Sequence, residues 1–159
     1  MIKFGEGLKI VQALSPQSST AAVKSTFVDT VGSHWATFMV SLGNLKATSV
    51  DNGKLTINIG TNIAQTSTAS GSTLGRIAWS FRTIAADGTM SAITDVSSTQ
   101  TGVIPVHSTT KTEAYTVIVD VPGQRIVDKR FLRLEFTPNI LADGNAAVTA
   151  FLDNRYRGG

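Results

Sequence analysis

Lys54-Leu55-Thr56-Ile57-Asn58-Ile59 alternates polar and aliphatic residues at every position. That period of two sets one face of a strand on a core and the other towards water. Three further stretches carry the same signature. Arg76-Ile77-Ala78-Trp79-Ser80-Phe81-Arg82 places large side chains on one face, and Tyr115-Thr116-Val117-Ile118-Val119-Asp120-Val121 makes its odd positions apolar. Leu132-Arg133-Leu134-Glu135-Phe136 repeats the pattern with an opposite-charge pair on the outer face.

Working outward, weaker strand patterns run over residues 7–14, 23–31, 35–42 and 147–152, with two short runs near 92–96 and 103–106. About eight to ten strands between turn signals predict an all-β chain. The expected fold is an antiparallel β-sandwich, jelly-roll-like, over residues 1–159 as a single domain with short N- and C-terminal arms. Its expected core is Leu55, Ile57, Ile59, Ile77, Trp79, Phe81, Val117, Val119, Leu132, Leu134 and Phe136.

The punctuation agrees. Asp51-Asn52-Gly53, Asp87-Gly88 and Asp143-Gly144-Asn145 are turn signals, because Asn and Gly tolerate positive φ. Pro105, Pro122 and Pro138 fall at strand ends or between strands, where a missing N–H is tolerated. No dozen residues show a capped 3.6 period, so helix is expected to be minor, with one turn near Asn139–Ala142. Thr61–Thr73 reads as an exposed Ser/Thr-rich loop, and Thr83–Thr112 as a second long connection with at most two short strands.

Composition narrows the function classes. Hydrophobic residues make up 42% and charged residues only 16%, while 21 Thr and 15 Ser supply most of the polarity. A disordered chain pairs low hydrophobicity with high net charge, the opposite of this. The expectation is a soluble β-rich domain, with no apolar run long enough for a membrane helix. The net charge of +3 invites nucleic acid. Yet the basic run Arg125, Lys129, Arg130, Arg133 is interrupted by Asp128 and flanked by Glu135. A binding face needs cations of one sign gathered together, so no nucleic-acid partner is expected.

There is no cysteine, which removes disulfides, thiolate metal sites and cysteine nucleophiles. The start Met1-Ile2-Lys3-Phe4-Gly5-Glu6-Gly7 lacks the apolar stretch of a signal peptide, and cytosolic synthesis is the expectation. The two histidines, His34 and His107, are isolated, with no second His at ligand spacing. Gly71-Ser72-Thr73-Leu74-Gly75 has the glycines of a nucleophile elbow but the wrong centre. Most carboxylates sit in turns or on strand exteriors, and no segment concentrates enough of them for calcium. The expectation is a protein without enzymatic activity, metal or cofactor.

Interface residues are sought among exposed aromatics and arginines. Trp35 opens a strand whose other face, Ala36, Phe38, Val40 and Leu42, is the more apolar. Phe151 points opposite to Val148, Ala150 and Leu152 by a similar alternation. Arg155, Tyr156 and Arg157 close the chain. These five residues are the candidate protein interface.

A β-rich chain dense in Thr, Ser, Ala and Gly, lacking Cys, opens with Glu6-Gly7-Leu8-Lys9-Ile10-Val11-Gln12-Ala13-Leu14 and closes on Asn154-Arg155-Tyr156-Arg157. In that style it resembles the small auxiliary virion proteins of tailed bacteriophages that decorate or cement the capsid. The resemblance implies a jelly-roll or related sandwich, homo-oligomeric, that binds the assembled major capsid protein lattice. It also implies synthesis in the host cytoplasm and residence on the capsid surface of the virion. Neck, tail and head-fibre proteins share the style. Two other classes stand beside it: a carbohydrate-binding β-sandwich, which calls for aromatic platforms, and a hydrolase, which calls for His34 or His107 near an acid.

Overall fold

Val117, Val119 and Val121 turn inward from the middle of a sheet, and the polar or mixed residues between them turn out. The computed structural model describes residues 8–18, 22–45, 53–60, 75–104, 113–126, 131–137 and 145–153. Twelve strands occur among them: β1 (Leu8–Ser18), β2 (Val23–Lys24), β3 (Val28–Asp29), β4 (Trp35–Leu45), β5 (Gly53–Gly60), β6 (Gly75–Arg76), β7 (Trp79–Ala85), β8 (Thr94–Val96), β9 (Gly102–Ile104), β10 (Glu113–Pro122), β11 (Phe131–Thr137) and β12 (Asn145–Asp153). A single helical turn, α1 (Gly123–Ile126), follows β10. The turn expected near Asn139–Ala142 lies outside the described residues.

The strands form two antiparallel sheets. The first has the order β1-β12-β4-β10-β7-β8. The second has the order β2-β11-β5-β6, with β3 also on β11 and β9 also on β5. The pairings are nested: β1 with β12, then β2 and β3 with β11, then β4 with β10, then β5 with β6 and β9. Each pair lies inside the previous one in sequence, as when one long hairpin is folded over on itself. β7 then adds to β10, and β8 to β7.

One hydrophobic core joins the inner faces. Phe38, Val40, Val119 and Leu152 enter it from the first sheet, and Leu55, Ile57, Leu132, Leu134 and Phe136 from the second. The expected core residues are all buried except Ile59, which packs partly buried at its margin. Two strand readings need correction. Residues 76–82 are not one strand: Gly75–Arg76 pairs in the second sheet, and from Trp79 the chain runs in the first. Buried Ile77 lies where the chain crosses between the layers, a corner that period-two alternation does not reveal. Residues 23–31 are likewise broken into β2 and β3, because Ser25 interrupts the ladder. The Ser25 hydroxyl accepts the Leu134 N–H at 3.1 Å and the Ser25 N–H reaches the Leu134 carbonyl at 2.9 Å.

That interruption brings Phe27 over the outer face of β11. Its ring lies 4.8 Å from the Arg133 guanidinium carbon, a cation–π contact. Arg133 is only 1% exposed, and its Nη2 is 3.8 Å from Glu135 Oε2. The expected opposite-charge pair is therefore present, but beneath a covering segment. Burial lowers the Arg133 pKa from its ordinary value, and Glu135 opposes that shift.

The Asp87-Gly88 turn forms as its residues dictate. Gly88 has φ +86°, and Asp87 Oδ1 accepts the Thr89 N–H at 2.9 Å. The other turn signals, at residues 51–52 and 143–144, and the Thr61–Thr73 loop lie outside the described residues.

Candidate interaction surface

The register of the first sheet builds an outward face in rows. Ile10 faces Phe151, then Thr37, Asp120, Ser80 and Asp95 across six strands. The next row runs Gln12, Thr149, Met39, Ile118, Arg82. A third runs Ala147, Ser41, Thr116, Ile84, with Ile84 bridged to Met90. The outward face of an antiparallel sandwich sheet is ordinarily polar. Here Ile10, Phe151, Met39, Ile118, Ile84 and Met90 put apolar side chains on it in every strand from β1 to β7 and at the bridge beyond. Ile10 is 54% exposed and Met90 58%.

Two depressions lie on this face among the described residues. One, of about 490 Å³, spans β1, β4, β7, β10 and β12. Its lining includes the small residues Ser41, Gly43, Thr116 and Ala147, together with Ile84 and Pro16. The other, of about 280 Å³, lies at the far end of β4, β7 and β10 and is lined by Trp35, Thr37, Ser80, Asp120 and Pro122. There Thr37 Oγ1 donates to Asp120 Oδ1 at 2.5 Å. Asp153 Oδ1 accepts the backbone N–H of Trp35 at 3.1 Å and also that of His34. The end of β12 is thereby fastened to the start of β4.

Of the five candidate interface residues, the structure brings two to this face. Trp35 is 38% exposed at the start of β4, and Phe151 is half-buried on β12, in register with Thr37. Arg155, Tyr156 and Arg157 lie outside the described residues, as does His107. His34 is exposed beside Asp153, whose carboxylate takes its backbone N–H. Among the described residues no three His, Cys, Asp or Glu side chains gather to hold a metal ion. No helix among them is long and apolar enough to cross a membrane.

The reading of the sequence passed over Met39 and Ile118. The signal was present, since Phe38-Met39-Val40 and Val117-Ile118-Val119 break the alternation with apolar residues on both parities. Such a break marks a strand covered on two sides or offered to a partner. No protein-family model, curated protein or solved structure matches the chain.

Proposed function

We propose that the protein is a non-enzymatic virion component that binds and stabilises an assembled phage capsid. The observation that carries this reading is the series of apolar side chains set among polar ones on the outward face of the first sheet, from Ile10 through Phe151, Met39 and Ile118 to Ile84. A face of that kind is suited to a broad, flat protein contact. The nested pairing supports it as well. Two Greek keys folded from one long hairpin make a jelly roll, an architecture that recurs in viral capsid domains, and the nesting favours that reading of the sandwich. β7 and β8 extend the first sheet beyond it.

A cement protein acts by mass action: binding only the assembled lattice, it draws the equilibrium away from disassembly. It needs repeated complementary patches, and homo-oligomers engage several at once. The test is co-sedimentation with empty shells and with free major capsid subunits, comparing the native chain with Ile118→Asp. Ile118 is half-buried on the outward face, so circular dichroism should show the sheets retained. The native chain is expected to bind shells and not free subunits, and the variant to lose about tenfold or more in affinity. Equal binding to shells and subunits, or equal binding by both chains, overturns the reading.

A further inference from the structure

The recess beside Trp35 differs in character from the rest of the outward face. An indole, a carboxylate and two hydroxyls converge there: Trp35, Asp120, Thr37 and Ser80, with Pro122 at its edge. Carboxylates also gather around it. Asp153 holds the Trp35 backbone, and Asp95 lies across Ser80 from Asp120 in the same row. Within the described rows of the outward face the nearest cation by register is Arg82, one row away beside Ile118. This acidity stands in a chain whose net charge is +3.

We infer that this recess receives the guanidinium of an arginine presented by a partner protein. A cation over an indole face is held by the ring quadrupole, and tryptophan is the best ring for it. Arginine suits the place better than lysine because its planar group can lie on the ring while its edge donates to a carboxylate. Thr37, donating to Oδ1, fixes the Asp120 carboxylate on the sheet. The fastening of the Trp35 backbone to Asp153 sets the indole's point of attachment. Both parts of the receptor therefore stand on paired strands, which lowers the ordering cost of binding. A neutral sugar would use the ring and the hydroxyls but gain nothing from the surrounding carboxylates. The inference concerns an arginine on any protein partner and does not depend on the capsid reading.

The probe is N-acetyl-arginine amide, titrated into the full-length ¹⁵N-labelled protein while the two indole N–H resonances are followed. Trp79, 1% exposed in the core, is the internal reference. The Trp35 resonance should shift saturably with a millimolar midpoint, about −4 kcal/mol, while that of Trp79 stays still. Asp120→Asn keeps an acceptor for Thr37 and removes the charge, and should weaken binding by about tenfold. The blocked lysine should bind more weakly, and methyl glucoside should leave Trp35 unmoved. No saturable shift up to about 100 mM arginine amide, near −1.4 kcal/mol, overturns the inference. So does unchanged binding by Asp120→Asn, an equal response to lysine, or an equal response to the glucoside, which would make the recess a sugar subsite.

Discussion

Gly102 on β9 faces Trp79 on β7 across the sandwich with no room for a side chain between them. A Cβ at Gly102 would come within 2.9 Å of Trp79 Cζ2, closer still to Cη2, and 3.3 Å from Phe81 Cε1. Trp79 is the largest of the fully buried side chains, and its ring lies 5.4 Å from that of Phe81. The first sheet fills this part of the core from one side, and the second answers with bare backbone. Gly102→Ala should therefore destabilise the fold by about 1–3 kcal/mol, the usual cost of overpacking. The entropy gain of replacing a glycine works against that loss but is smaller. Combining it with Trp79→Phe should cost less than the two single changes added together, by about 0.5 kcal/mol or more in urea denaturation. Strict additivity would mean that the two residues do not compete for one space.

Phe81 gives a test of the inward face of β7. It is 5% exposed, stacked at a tilt on Trp79 and paired in register with Val119. Phe81→Ala should cost about 3–5 kcal/mol, since the cavity is walled by both sheets and cannot collapse freely. A loss below about 0.5 kcal/mol in chemical denaturation would place the side chain at the surface instead.

The strands at residues 54–59, 115–121 and 132–136 were legible in the sequence because each keeps one parity apolar and on the core throughout its length. Residues 76–82 look continuous in the sequence for a related reason. The corner at Ile77 and Ala78 changes sheets without changing the polarity pattern, because both layers share one core. Parity places Arg133 on the outer face but does not reveal that it is buried. Its covering comes from Phe27, which the broken ladder at Ser25 brings in from far along the chain. Trp35 and Phe151 could be placed by parity alone. The recess joining Trp35 to Asp120 could not, since it depends on the registers of β4, β7 and β10.

The turn between Ala85 and Thr89 carries a pH dependence. The Thr89 N–H bonded to Asp87 Oδ1 favours the ionised carboxylate and holds its pKa below the ordinary value of 3.8. With the folded value below the unfolded one, the contribution is complete above the unfolded pKa. It is lost as pH falls through the folded value. An NMR titration should place the Asp87 carboxyl midpoint below 3.8, with the Thr89 amide shift following the same curve. Independent titration of the two would remove the hydrogen bond from the account.

Arg133 poses a sharper question of energetics. It stands on the central strand of the second sheet, between Leu132 and Leu134, covered by Phe27 and beside Glu135. Burying a guanidinium costs desolvation energy, which its carboxylate partner and the aromatic ring offset in part. Its long stem also fills volume beneath Phe27. Arg133→Ala removes charge and volume together and should cost about 2 kcal/mol or more. Arg133→Met keeps most of the volume and relieves the desolvation, so it should cost clearly less than the alanine change. Glu135→Gln leaves the cation in place with a weakened partner and should be worse than Arg133→Met with Glu135→Gln combined. Denaturation midpoints of the four variants decide this. If Arg133→Met proved as costly as Arg133→Ala, the charge rather than the packing would be what holds Phe27 over the strand.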